Sequence, residues 1–337
     1  MTALITGIGY IGAALAEALL ADGQRVVGLE NGFSTVPAVV TALARRPGFT
    51  LVRGSINSAS SIERACVTAT ADGCSLDVVY HLAAQASAHP QAAPPAYTEQ
   101  TNLSAPRLVF DAAVRHGARA LVYGSSFRVY GDHLSGAVGE DTPYGQIGDL
   151  SHLSKVYAEK LMEMMAGRHP LPAVSVRLGV VYGVGPLMKR DPRFLTVPNL
   201  FSLRAVEGQP LTVHPSANRP IGFLHLDDAV QALRVAGQLA QANTQGARAV
   251  NAVSEVLSVG EVAAIVEREA AVRHLRTQIE GAGPLTSPRW SVVSSLDAVG
   301  FRPARTMSES LGAVLDYYLR RQNTGDRRQE GARSTIR

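Results

Sequence analysis

The strongest constraint on how this chain folds is a rhythm of short apolar runs with no polar face. ALIT (3–6), RVVGLE (25–30), FTLVRG (49–54), DVVYHLAA (77–84), ARALVYGSS (118–126) and AVSVRLG (173–179) are rich in Val, Leu and Ile and read as strands. Between them, residues 11–21, 60–69, 101–116 and 151–167 carry helical spacing. Strands that are apolar on both faces and separated by helices require a parallel sheet covered on both sides. The chain is therefore expected to be α/β, a doubly wound parallel (Rossmann) sheet. Beyond about residue 180 the rhythm loosens around Pro186, Pro192, Pro198, Pro210, Pro215 and Pro220, then resumes at FLHLDDAVQAL (223–233). This predicts a Rossmann domain over 1–175 with 220–245 woven back into it. A smaller, loop-rich substrate lobe is expected from 176–219 and 246–320.

Composition narrows the function classes. Of 337 residues, 46% are hydrophobic and 18% charged, an ordinary globular balance. The net charge of +4 resides in the last 18 residues, which carry six Arg against Asp326 and Glu330. Residues 321–337 are expected to be a disordered basic tail, and the rest carries no basic face of the kind nucleic acid needs. Cys66 and Cys74 are the only cysteines, and neither sits in a zinc-ligand or CxxC pattern. With no charged leader, no apolar run long enough to span a bilayer and no metal-ligand cluster, the expectation is a cytoplasmic protein with reduced thiols.

The clearest local motif is ITGIGYIGAALAEALLADG (5–23). Gly7, Gly9 and Gly12 form GxGxxG between a strand and a helix. Gly7 permits the turn, Gly9 admits a pyrophosphate, and Gly12 lets helix and strand pack closely. The helix N-terminus then presents N–H groups to phosphate. Glu30 closes the second strand, where a carboxylate accepts from both ribose hydroxyls and repels a 2′-phosphate. NAD is thus favoured over NADP.

With these motifs in place, the chain resembles the extended short-chain dehydrogenase/reductase family, the NAD-dependent nucleotide-sugar epimerases and dehydratases. The likeness runs from residue 3 to roughly 320. It is carried by the glycine motif, DVVYHLAAQAS (77–87), TNLSAPRLVFDAA, LVYGSSFRVYGD (121–132), SHLSKVYAEK, RLGVVYGVG (177–185), VPNLFSLRAVEGQPLTVH (197–214) and FLHLDDAVQAL. The resemblance implies that Tyr10, Ile11, Asn31, Ser55, Ile56, Leu82, Ala83, Ala84 and Asn102 join Gly7, Gly9, Gly12 and Glu30 around NAD. It assigns Ser126 to the reacting oxygen and Lys155 to the catalytic lysine, which also touches the cofactor. Arg128, Asn199 and Arg219 are assigned to a nucleotide-sugar substrate. It further implies a homodimer through helices 101–116 and 151–167.

Four positions depart from the family pattern. The glycine fingerprint is one residue shorter than usual. Ser55 replaces an acid that holds the adenine amine. Ile221 replaces an arginine, and Arg219 comes two residues early. Most consequential, the YxxxK of the family reads Ser151-His-Leu-Ser-Lys155. A phenol titrates near ~10 and is brought toward neutrality by neighbouring cations, whereas a serine hydroxyl is not. His152, three residues before Lys155, and Tyr144, in the glycine-flanked loop PYGQIG, are the candidate substitutes for the base; a water relay or no base at all stay open. Tyr157 falls on the stripe Leu153, Val156, Leu161, Met164 and is expected in the core. Phe127-Arg128 stands where dehydratases of the family carry an acidic pair, which argues against dehydration. The leading expectation is a nucleotide-sugar epimerase or related oxidoreductase working by transient hydride transfer. The alternative is a redox-silent NAD-binding protein of the same fold.

Overall fold

In the computed structural model, which describes residues 1–35, 37–87, 89, 91–242, 246–281 and 283–324, seven strands form one parallel sheet. Across the sheet they run Ala247–Ala252, Ala173–Leu178, Leu121–Ser126, Val78–His81, Thr2–Thr6, Arg25–Glu30 and Phe49–Arg53. Every neighbouring pair is parallel, with Thr6 level with Leu29 on one side and His81 on the other. Thr2–Thr6 and Ala173–Leu178 are buried at every position.

The two faces of the sheet fill separate cores, because successive strand residues point to opposite sides. Ile5, Val26, Val78 and Val122 pack with Leu15, Leu19 and Leu233 of the helices Tyr10–Ala21 and Leu226–Ala242. Their neighbours Leu4, Val27, Val79 and Leu121 pack with Ile62, Phe110 and Leu161 from Ala59–Ala69, Ala105–Arg115 and Leu150–Ala166. Each such side chain contributes about 1.5–3 kcal/mol by leaving water, so a polar substitution at any of them breaks a helix-to-sheet seam.

The second lobe is built on Val180–Tyr182, Pro220–His225 and Glu255–Ser258. The central strand is parallel to the first and antiparallel to the last. The helices Val197–Val206, Val259–Val272 and Met307–Asn323 pack on one another there.

Three expectations change. Ala247–Ala252 is the outermost strand of the main sheet, although 246 onward had been placed in the substrate lobe. Within 220–245 only the helix Leu226–Ala242 returns to the main sheet, while Pro220–His225 belongs to the smaller one. Tyr157 is not core: Leu153, Tyr157 and Met164 are 39%, 41% and 39% exposed, while Leu161 is buried. The helix Met307–Asn323 takes in residues 321–323 of the expected disordered tail, and the tail from 325 onward lies outside the described residues. Among the described residues, no helix is long and apolar enough to cross a membrane.

Candidate functional site

The order of the strands reverses between Thr2–Thr6 and Val78–His81, and a crevice opens beyond their carboxyl ends, where α/β sheets bind ligands. Gly7 leaves the first strand with φ +87° and donates its N–H to the Leu29 carbonyl at 2.8 Å. A Cβ on Gly7 would lie 2.7 Å from the Ala83 nitrogen, and one on Gly12 would lie 2.0 Å from the Gly7 oxygen. Both glycines are therefore forced by the protein itself. Gly9 differs: no atom lies within 4 Å of where its Cβ would be, and it lines the cavity. It also starts the helix Tyr10–Ala21 without a capping side chain, so no side chain at the cap position satisfies the first-turn N–H groups. The tyrosine that follows donates its hydroxyl to the Gly183 carbonyl at 2.6 Å and ties the loop to the second lobe.

Glu30 sits at the mouth of this crevice. Its carboxylate accepts from the N–H of Ile8 (2.9 Å), the N–H of Gly32 (2.7 Å) and the hydroxyl of Thr35 (3.2 Å). Open space at Gly9, an uncapped helix start and a fixed carboxylate at the second strand's end together fit a dinucleotide.

The crevice continues as a cavity of about 630 Å³. Gly7, Gly9, Tyr10, Ile11, Gly12, Glu30, Asn31, Ile56, Leu82, Ala83, Ala84, Ser126 and Lys155 all line it. Ser55 and Asn102, assigned to the cofactor, do not. The Ser55 hydroxyl instead accepts the Asn57 N–H at 3.2 Å and holds its own turn. Asn102 is buried in the π-turn Gln100–Ser104, where its amide accepts from the Gln85 N–H and donates to the Gln85 carbonyl, both at 2.8 Å. It fixes the loop under the crevice without facing it.

At the far end Lys155 donates to the Gly124 carbonyl at 2.8 Å and lies 4.9 Å from the centre of the Tyr123 ring. Burial pulls its amine down to about 8, with Glu159 opposing. Ser126, at the end of Leu121–Ser126, and Ser151, one turn before Lys155, line the same wall. The Ser126 oxygen accepts the Arg128 N–H at 3.2 Å, which orients it.

Both candidate replacements for the phenol are displaced. His152 is 2% exposed and turned under the chain, with its Nε2 3.2 Å from the Val129 carbonyl. Its backbone N–H donates to Asp149, the residue capping the helix. Three residues along a helix leave a sixty-degree difference in direction, enough to carry the imidazole out of the cavity. Tyr144 donates its hydroxyl to the Glu159 carboxylate at 3.0 Å. Burial and that carboxylate both push the phenol above its usual value, the opposite of what a base requires.

The residues assigned to substrate also lie off the cavity wall. Arg128 pairs with Asp149 at 2.5 Å, and Arg219 with Asp132 at 2.7 Å. Asn199 is buried, accepting from the Gly183 N–H at 3.2 Å and donating to its carbonyl at 3.4 Å.

The cavity brings in residues the sequence reading did not name. Lys189 lines it, and burial alone pulls its amine down to about 8. Arg193 lines it too, anchored by Asp191 and by its donation to the Gln91 carbonyl at 2.8 Å. Phe33 stacks on Tyr97 with ring centres 4.4 Å apart and meets Phe194 edge-on at 6.1 Å, so three separate segments share one aromatic cluster lining the cavity. One signal for Lys189 was available: the chain has three lysines (155, 160 and 189) beside 29 arginines. Among the described residues, no cluster of His, Cys, Asp or Glu is placed to hold a metal ion.

Residues 3–252 match the model of a family described as NAD dependent epimerase/dehydratase. The chain is similar to a UDP-glucose 4-epimerase of Mycolicibacterium smegmatis, 24% identical over 335 residues, covering 94% of this chain and 98% of the relative. It is also similar to UDP-glucuronic acid decarboxylase 1 of Arabidopsis thaliana, 27% identical over 231 residues, covering 67% of this chain and 49% of the relative. Among solved structures, the UDP-glucose 4-epimerase of Bifidobacterium longum, in complex with NAD+ and UDP, superposes with a TM-score of 0.80. That match covers 96% of this chain and 99% of the other at 20% identity, a likeness of fold.

Proposed function

This chain belongs to the NAD-dependent epimerase/dehydratase family, and we propose that within it the protein oxidises and re-reduces a ring carbon of a nucleotide sugar, as an epimerase or related oxidoreductase. The observation that carries this reading is one continuous cavity. It runs from the glycine loop and Glu30 to a wall holding Ser126, Ser151 and Lys155. Glu30 accepts from the adenosine ribose hydroxyls and repels a 2′-phosphate, which makes NAD the cofactor. Glycines 7, 9 and 12 and the start of Tyr10–Ala21 hold its pyrophosphate. The chemistry NAD supplies when bound is acceptance and return of a hydride. Lys155 would stand beside the bound ribose, and Ser126 would hydrogen-bond the reacting sugar hydroxyl. Lys189 and Arg193 give the remaining wall a positive character suited to a nucleoside diphosphate. A uridine diphosphate sugar is the first substrate to try, since the relatives named above act on such sugars.

The protein is proposed to work as a homodimer. Leu153, Tyr157 and Met164 leave an apolar stripe on the outside of Leu150–Ala166, next to Ala105–Arg115. Two copies of this helix pair form a self-complementary four-helix face.

The test is incubation of purified protein with UDP-, GDP-, CDP- and dTDP-sugars. The expected result is growth of the reduced-nicotinamide absorbance, or interconverted sugars on chromatography. Flat absorbance with every sugar recovered unchanged overturns the reading and leaves a redox-silent NAD-binding protein.

A further inference from the structure

We infer that Lys155 is itself the proton acceptor for the substrate hydroxyl, with the Ser126 and Ser151 hydroxyls passing the proton to its amine. This rests on the oxidoreductase reading above.

Neither residue read from the sequence as a substitute base is free for the role. His152 and Tyr144 are engaged elsewhere, at Val129 and Glu159. Of the remaining titratable groups on the cavity, Lys189 is also pulled down to about 8 by burial, Arg193 is held by Asp191, Tyr10 donates to Gly183, Tyr97 receives the Asn31 amide, and the His89 ring accepts the Gln91 N–H. Glu30 is held by Ile8, Gly32 and Thr35 at the opposite end. Lys155 is set apart from Lys189 by sharing the helix Leu150–Ala166 with Ser151 and by touching the strand that ends in Ser126. Ser151 precedes it by one helical turn and so shares its face. Ser126 ends the strand whose Gly124 carbonyl Lys155 touches, and it lines the same cavity.

The surroundings also let the amine lose its charge. Glu159, one turn along the same helix, would ordinarily keep Lys155 protonated. Arg177 of Ala173–Leu178 holds that carboxylate through Nε at 3.1 Å and Nη2 at 2.7 Å, and Ser125 and Tyr144 donate to it as well. From Val78–His81, the buried His81 ring faces Lys155 as a neutral group, its own value pulled down by burial and by the lysine. From Leu121–Ser126 comes the face of Tyr123, and Arg128 of Phe127–Tyr130 is occupied by Asp149. An amine near 8 is neutral in an appreciable fraction of molecules at physiological pH, which is the condition for general-base work. In the step, the sugar O–H bond breaks and an N–H bond forms, turning the amine into an ammonium. The electron pair of the neighbouring C–H bond leaves with its hydrogen as hydride, for which NAD is the acceptor, and the carbon is left as a ketone. Return of both restores the hydroxyl on either face.

The experiment uses the scarcity of lysine. Reductive methylation of the full chain with ¹³C-formaldehyde labels Lys155, Lys160, Lys189 and the N-terminal amine. Lys155→Arg and Lys189→Arg assign the lysine signals, separating Lys155 from the α-amine, a group that ordinarily titrates at about 8. The Lys155 signal is expected to titrate near 8. Exposed Lys160 should titrate near ~10.4. Co-titration of the two overturns the inference. In parallel, single-turnover sugar oxidation by unlabelled protein should rise with pH through the same value. Lys155→Arg keeps the charge but cannot release a proton, so it should slow that step roughly 10²–10⁴-fold while calorimetry still detects NAD binding. Ser151→Ala should slow it about tenfold. Full activity in Lys155→Arg overturns the inference and leaves the oxidoreductase reading intact. Absence of oxidation by wild type with every sugar overturns that reading, and the inference with it.

Discussion

Glu159 and Arg177 form an ion pair across two elements, at 2.7 Å, with side chains 1% and 5% exposed. Burial works against the guanidinium charge, but its hydrogen bonds to the Glu159 carboxylate outweigh that and hold the arginine above its ordinary range. Arg177 also donates to the Tyr130 hydroxyl at 2.5 Å and the Glu140 carbonyl at 3.0 Å. Removing one partner strands a buried charge. Arg177→Leu should cost about 3–5 kcal/mol in urea unfolding, and Arg177→Leu with Glu159→Leu should recover a large part. A single-variant loss below about 1 kcal/mol would show that water reaches the pair.

Glu30→Ala should weaken NAD binding by about 1–3 kcal/mol and relax discrimination against NADP. Calorimetry with both cofactors reads this directly. Wild-type preference for NADP would overturn the role given to Glu30.

The positions of His152 and Tyr144 make a paired prediction. His152→Ala should lower stability by about 1–2 kcal/mol through its lost packing and its contact with Val129. It should leave the pH dependence of sugar oxidation where it was, and Tyr144→Phe should do the same. Ser151→Tyr, by contrast, puts a phenol on the cavity wall one turn from Lys155. It should quicken sugar oxidation. A shifted pH profile in His152→Ala would return the imidazole to the chemistry.

The apolar stripe predicts association. Tyr157→Asp should convert a dimer to a monomer in sedimentation at micromolar concentration without unfolding it, since Tyr157 is 41% exposed. A wild-type monomer removes the proposal of a dimer.

His81 predicts an acid limit. Its Nδ1 lies 2.7 Å from the Thr6 hydroxyl, its Nε2 has no partner among the described residues, and burial pulls the ring down to about 3. In the unfolded chain the ring gains a proton below about 6.5, so between these values the unfolded state binds more protons. Stability contributed by the neutral ring is complete above about 6.5 and is lost as the pH falls toward 3. His81→Gln should flatten the fall in urea midpoint between neutral pH and pH about 4. Parallel slopes for the two proteins would place the acid sensitivity in carboxylates instead.

The main sheet was legible because its strands are buried on both faces, so composition alone marks them. Ala247–Ala252 escaped because strand order is not a local property: ARAVNA lies between segments of the second lobe and has one partner strand. The glycine loop and Glu30 were readable because backbone geometry dictates their residue types. The proton acceptor was not. Spacing put His152 beside Lys155, but the Asp149 cap and the Val129 carbonyl decided where its ring went. Periodicity likewise placed Tyr157 on an apolar stripe without telling a core from a surface that another chain can cover. Lys189 had a signal in the rarity of lysine, but only the fold shows which wall it joins.

Gly7 and Gly12 are explained by atoms of the chain, since a methyl at either would overlap Ala83 or Gly7. Gly9 is explained by nothing in the chain. Its place on the cavity wall suits close approach of a pyrophosphate, and a saturation screen would separate the two kinds of glycine. Variants at 7 and 12 should disappear from the folded population. Those at 9 should fold, resist protease and yet run at the apo-protein's melting temperature whatever NAD is added. The tolerance of position 9 would then trace the outline of the cofactor, residue by residue, from the protein's side.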